Sequence, residues 1–402
     1  MYPGPRLVVP ASALVVAVAC AVAAATPRAP ARPATTDIET TLFLVGDAGA
    51  PAARFEPVLA ALAADIARNE APAIVAFLGD NVYPSGMPQR GHADRAEAER
   101  RLSAQIEAAV EPGGEAIFIP GNHDWNYAGE RGLERVREQE RFVEAVGAGR
   151  ARFLPDNGCA GPVALDIGER LRLIAIDTQW WLQDPAARAD GAPCPARTES
   201  EIVAALGRLL HDAGARHVIA LGHHPLQTGG SHGGHFTVTQ HLFPLRGFAS
   251  WAWLPLPGFG SIYPLARRAG ISDQDLAGDR NRRMRAALES AMRVDPPLAF
   301  VSGHEHNLQL LEGTSARWIV VSGGGIHGHA TAVRRLDATL FAAARSGYIR
   351  LDVQSDGRVR LGVIVVSDEG EGKEVYARDL TTGPSASLPE SRAADPRDGE
   401  RR

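Results

Sequence analysis

A chain of 402 residues, 45% hydrophobic and 22% charged, has the balance of a globular protein with room for one large domain or two smaller ones. Its formal net charge is −5 and no block of one sign interrupts it. It therefore lacks the basic stripe that holds a phosphate backbone, and no nucleic-acid partner is expected.

The chain opens with Arg6 and an apolar run, Leu7 to Ala25, that closes on the small residues Ala23, Ala24 and Ala25. Residues 1–25 read as an export signal, which predicts a periplasmic or secreted protein. The run is about 19 residues, just long enough to span a bilayer, but its alanine content makes it a poor anchor. Ala17-Val18-Ala19-Cys20 is a loose lipobox without the usual leading leucine, so a lipid anchor at Cys20 ranks second. Residues 26–38 are rich in Pro, Ala and Thr and read as a linker. Removal of the signal takes Cys20 with it and leaves Cys159 and Cys194, both in turn-like contexts. In an oxidising compartment this even pair is predicted to form one disulfide.

Beyond the linker, short apolar runs at 41–46, 73–79, 116–120, 171–176, 217–222 and 298–303 each end in a turn residue, as strands buried on both faces do. Helical spacing separates them at 53–68, 97–110, 198–213 and 279–293. Thr198 and Glu201 form a capping box, and Asp279 is a candidate cap. After 309 the pattern becomes strands alone, at 317–322, 347–353 and 358–366, which suggests a second, more antiparallel sheet portion. Layered sheets flanked by helices would bury both faces. One domain is expected over 39–370, with an insertion at about 227–278 and a disordered tail over 371–402.

Five of the strand ends carry metal-binding residue types. They are "VGDAG" (Asp47), "LGDNVY" (Asp80, Tyr83), "PGNHDW" (Asn122, His123, Asp124), "LGHHP" (His223, His224) and "SGHEH" (His304, His306). Ligands of open α/β sheets bind outside the carboxyl ends of strands, so five such tips can converge on one site. Carboxylates, an amide oxygen and imidazoles suit Fe, Mn or Zn, and the absence of cysteine excludes a thiolate zinc site. The set is large enough for two cations sharing one carboxylate.

This ordered set resembles the calcineurin-like metallophosphoesterases, and within them the purple acid phosphatase branch. The general pattern opens with Asp-x-His, where this chain has Asp47-Ala48-Gly49 and so no histidine. The branch instead carries a tyrosine in Gly-Asp-x-x-Tyr, matched here by Gly79-Asp80-Asn81-Val82-Tyr83. The resemblance implies an α/β fold, a layered β-sandwich of two mixed sheets flanked by helices. It implies two metal ions, Fe(III) on Asp47, Asp80, Tyr83 and His306, and a divalent Fe, Zn or Mn on Asp80, Asn122, His223 and His304. The implied activity is hydrolysis of phosphomonoesters by a metal-bound hydroxide, with a Mn- or Zn-dependent phosphodiesterase or an inactive binding protein as alternatives. The substrate would be a small phosphate ester.

His123 is the candidate for proton transfer, with Asp124 to orient it, and His224 either enters the site or supports it. His232 and His235 lie after the fourth motif, either within reach of the leaving group or solvated on a flexible glycine loop. The glycine-rich stretch 322–329 lacks the lysine of a phosphate-binding loop. The insertion concentrates Phe243, Phe248, Trp251, Trp253, Phe259 and Tyr263. It is expected to wall the substrate cleft, to touch a membrane surface through 243–263, or to pack as a satellite core. No protein partner is identifiable.

Overall fold

The computed structural model describes residues 32, 37–188, 193–247 and 252–382. The export signal, Cys20 and the last residues of the expected tail lie outside them. The chain first lays down β1 (Ile38–Val45), β2 (Ala73–Phe77), β3 (Glu115–Phe118) and β4 (Ala151–Phe153) as parallel neighbours. It then crosses to a second sheet and builds β5 (Val163–Ile167), β6 (Leu171–Ala175), β7 (His217–Leu221), β8 (Ala299–Ser302), β9 (Leu308–Glu312), β10 (Trp318–Ser322) and β11 (Thr339–Ala343). Finally it returns to add β12 (Gly347–Gln354), β13 (Val359–Val366) and β14 (Gly372–Asp379) to the first sheet, β12 antiparallel to β1 and each later strand antiparallel to the one before it. Two mixed seven-stranded sheets result, ordered β14-β13-β12-β1-β2-β3-β4 and β11-β9-β10-β8-β7-β6-β5.

The strands alternate between two cores, because successive side chains point to opposite faces. Leu42 and Leu44 of β1 meet Leu173, Ile219 and Val301 of the other sheet in the sandwich interior. Phe43 and Val45 face outward under Val58 and Leu62 of helix Pro57–Ala67. Phe300 does the same on the far side under Leu206, Met284 and Leu288. Both faces are apolar, which is why the strands appear in the sequence as continuous apolar runs.

Three expectations are corrected. The late strands do pair mostly antiparallel, but they are divided between the sheets, since β9, β10 and β11 complete the second and β12 to β14 the first. The tail does not begin at 371, because Gly372–Asp379 is a strand paired along β13. Its alternation is mostly polar, as befits an edge strand with few buried residues. Asp279 is the first helical residue and caps nothing; Gly278 holds the cap position without a side-chain bond. The Thr198–Glu201 capping box is formed. So is the disulfide Cys159–Cys194, with Cα atoms 5.6 Å apart. No helix among the described residues is long and apolar enough to cross a membrane.

Candidate metal centre

The carboxyl ends of β1, β2, β3, β7 and β8 lie on one side of the sandwich, and each is followed by a glycine and then a polar residue. The glycines let the two sheets touch. A Cβ on Gly303 would stand 2.7 Å from Asp47 Oδ2 and 3.4 Å from Gly46 Cα. A Cβ on Gly79 would stand 2.6 Å from His223 Nδ1 and 2.8 Å from Gly121 Cα. Immediately after these contacts, Asp47, Asp80 and His304 adopt left-handed backbone at φ 60°, 56° and 68°. Such conformations are unfavourable for residues with a Cβ and persist where the surroundings fix them.

Two groups of donor atoms converge there. In the first, Tyr83 Oη lies 3.2 Å from Asp47 Oδ1, 3.3 Å from Asp80 Oδ2 and 3.1 Å from His306 Nε2. In the second, Asn122 Oδ1 lies 2.9 Å from His223 Nε2 and 2.9 Å from His304 Nδ1, and these two nitrogens are 3.2 Å apart. Asp80 Oδ2 joins the groups, being also 3.4 Å from His223 Nε2.

The second group tests whether a cation fits. His223 Nδ1 faces the Leu78 carbonyl at 2.8 Å and His304 Nε2 faces the Gln274 carbonyl at 2.9 Å. Each of those nitrogens must carry the proton it donates. In the neutral rings the other nitrogens are then lone pairs, and both point at an amide oxygen that is itself an acceptor. Three acceptors meeting without a proton between them are satisfied by a cation. Burial lowers the His223 pKa, but Asp80 outweighs that and pushes it up to about 9. Burial raises the Asp80 carboxyl, yet His223 and His123 hold it below the ordinary range. Burial and the neighbours His232, His224 and His223 hold His304 neutral. Burial, Asp47 and Asp80 raise the Tyr83 phenol well above its usual value.

The other expected residues are distributed around this centre. His123 donates its backbone N–H to Asp80 Oδ1 at 2.8 Å, and its ring stands edge-on to Tyr83. Its Nε2 lies 2.8 Å from the Tyr127 hydroxyl and 3.9 Å from Asp80 Oδ2. Asp124 does not orient it. The buried Asp124 carboxylate accepts from the backbone N–H groups of Asn81, Val82 and Gly121 and from the Asn81 side chain, tying the second motif to the third. A carboxylate next to short, amide-rich turns is captured by them before it reaches a neighbouring ring. His224 is buried between Thr178 Oγ1 and Gln274 Oε1, and burial together with His223 lowers its pKa to about 3. His232 packs on His304, ring centroids 3.9 Å apart, and lies 2.8 Å from Asp275 Oδ1. His235 belongs to a separate cleft beside Arg268 and Arg334. Backbone of the 322–329 stretch does reach the centre, since a Cβ on Gly323 would stand 2.6 Å from Asp47 Oδ2.

Tyr127, Thr178 and Gln274 were not expected here. Gln274 reaches both His304 and His224 from inside the insertion, and its Nε2 donates to Gln179 Oε1 at 3.1 Å. No local pattern marks it. Tyr127, four residues after His123, is the one whose spacing offered a hint.

Two mixed sheets with clustered aspartates and histidines at their strand ends define a metal-binding α/β protein of phosphoesterase architecture. The family model for calcineurin-like phosphoesterases matches residues 40–308, more than half of the chain, and the chain belongs to that family. No curated protein matches it in sequence. Among solved structures it is similar to a purple acid phosphatase from yellow lupin (Lupinus luteus) seeds, with TM-score 0.52 and 16% identity over 89% of this chain and 57% of the lupin chain. It is similar also to GAP50, described as the anchor in the inner membrane complex of Plasmodium, with TM-score 0.50 and 14% identity over 85% of this chain and 89% of that one. At such identities the likeness is one of fold.

Proposed function

We propose that the protein is an exported phosphomonoesterase working with two metal ions, of the purple acid phosphatase-like branch of its family. The observation that carries the reading is Asp80 Oδ2, shared between a phenol-containing donor group and a histidine–amide group. Asp47, Asp80, Tyr83 and His306 would hold Fe(III), and Asp80, Asn122, His223 and His304 a divalent Fe, Zn or Mn. When bound, such a pair supplies Lewis acidity toward phosphoryl oxygens and makes water acidic enough to act as a nucleophile near neutral pH.

The chain's own residues supply the rest. The Leu78 and Gln274 carbonyls fix the two imidazoles so that their lone pairs face inward. Tyr83 offers a hard oxygen donor whose ionisation needs a strong cation, which favours a trivalent ion. His123 has Nδ1 on the Pro84 carbonyl and Nε2 on the hydroxyl of the half-exposed Tyr127, so that its protonated ring would give a proton from Nε2 to the departing alcohol oxygen. Asp124 holds the loops that carry Asp80 and Asn122. His224, neutral and buried, is a wall of the second group. The disulfide is compatible with export. The exposed Trp253, Leu254, Phe259 and Ile262 form the surface through which the insertion would touch a membrane.

The likeness to GAP50, described as an anchor, favours a second reading as a catalytically silent binding protein. A Mn- or Zn-dependent phosphodiesterase is the enzymatic alternative. Turnover of 4-nitrophenyl phosphate and bis(4-nitrophenyl) phosphate by metal-loaded protein separates the three. Monoester hydrolysis that is lost in Asp80→Asn is expected. Preference for the diester favours the phosphodiesterase, and no turnover of either favours the binding protein.

A further inference from the structure

Beside the metal centre, the insertion and the stretch 330–332 enclose a cavity of about 560 Å³. Phe236, Phe243, Pro244, Tyr263, Pro264 and Arg267 are among its walls, and none of the described lining residues is a carboxylate. The Arg267 guanidinium carbon lies 5.5 Å and 5.6 Å from the ring centroids of Phe236 and Tyr263. Its Nη2 is 2.9 Å from His232 Nδ1, and the His232 ring packs on His304. Ala330 and Ala332, also in the lining, flank Thr331, whose backbone N–H donates to the His306 carbonyl at 2.7 Å. The cavity therefore begins one side chain away from each histidine of the last motif.

We propose that this cavity receives the leaving group, and that it selects phosphomonoesters whose alcohol carries a planar aromatic ring. The proposal rests on the phosphomonoesterase reading above. Its volume is that of a small-molecule site. Three aromatic rings and a guanidinium plane offer faces and edges that a flat ring matches better than an aliphatic chain. Arg267 does not serve a second phosphate, because Asp275, itself buried, already neutralises it with Oδ2 2.8 Å from Nε. Thr237, Thr239 and Gln240 at the rim can hydrogen-bond ring substituents.

The test uses phosphonates, which are not hydrolysed, so that binding is read apart from turnover. Metal-loaded protein is titrated calorimetrically with inorganic phosphate, ethylphosphonate, 2-cyclohexylethylphosphonate and 2-phenylethylphosphonate. The phenyl compound is expected to bind at least tenfold tighter than the ethyl compound and at least threefold tighter than the cyclohexyl one. Phe243→Ala, and Ala332→Trp, which fills the cavity from an exposed position without removing a packed side chain, are each expected to bring phenyl and ethyl within twofold. Equal binding of phenyl and ethyl in the wild type overturns the proposal. So does equal binding of phenyl and cyclohexyl, or a preference that survives in Ala332→Trp. If phosphate and ethylphosphonate bind without aromatic gain, the cavity proposal alone fails. If neither phosphate nor any phosphonate binds, the phosphomonoesterase reading fails and takes this proposal with it.

Discussion

Replacing Gly303 by alanine places a methyl group 2.7 Å from Asp47 Oδ2, 3.1 Å from the Leu78 carbonyl and 3.4 Å from Gly46 Cα. The carboxylate cannot simply retreat, because the same Oδ2 accepts the backbone N–H of His304 at 2.8 Å. Relief of the clash needs a shift of about 0.5 Å, which is the tolerance within which a ligand shell must be held. Either the contact is kept, as overpacking that costs about 1–3 kcal/mol, or the bond is broken, and a hydrogen bond to a charged group contributes about 1.5–3 kcal/mol. These are alternatives and not a sum, so Gly303→Ala should lose about 1–3 kcal/mol of stability in the metal-free protein. It should also lose metal, because Asp47 and His304 would move together. Gly207→Ala is the control. It lies inside helix Glu199–His211 with nothing within 4 Å of the added methyl. It should gain about 0.5–1 kcal/mol and keep its metal content. Urea unfolding and atomic emission analysis measure both quantities. A Gly303→Ala protein with wild-type unfolding midpoint and wild-type metal content would refute the claim that the sheets touch through glycine to place the ligands.

Tyr83→Phe should lose iron, and with it the violet phenolate-to-iron absorption expected of the oxidised, iron-loaded wild type; a colourless iron-loaded wild type would contradict the Tyr83 assignment. Replacing both Cys159 and Cys194 by serine opens a loop of sequence separation 35 and should cost about 4 kcal/mol by the chain-entropy model, read by urea unfolding of oxidised wild type against variant. Asp177 is buried, accepting from Trp180 N–H and Trp125 Nε1–H, and burial raises its carboxyl to about 7. A raised folded-state pKa makes this contribution full below the unfolded value near 3.9 and progressively lost as pH rises through 7. Stability from pH 5 to 8 should therefore fall less steeply in Asp177→Asn than in wild type, and an identical slope would contradict the burial argument.

The strands and most long helices were legible in the sequence because both sheet faces are buried, so β1, β2 and β7 appear as unbroken apolar runs ending in glycine. The convergence of Asp47, Asp80, Tyr83, Asn122, His223, His304 and His306 followed from their place at strand ends. Short or polar elements were not legible. The three residues of β4 are too brief to show a period, and β14 is an edge strand with mixed polarity. Helix Gly132–Gly147 begins without a side-chain cap and is charge-rich. Asp124 was misjudged because sequence adjacency to His123 says nothing about which turn captures a carboxylate. Gln274 was invisible because it acts through its backbone carbonyl on His304 and arrives from a segment with no motif of its own.

The most direct measurement is the metal content of the purified protein, by atomic emission, per mole of chain. Two metal ions per chain, one of them iron, are expected, falling to one or none in Asp80→Asn because that carboxylate is shared by both donor groups. Protein purified and reconstituted under the same conditions that binds no metal, or one whose two ions are unaffected by loss of Asp80, would contradict the binuclear centre.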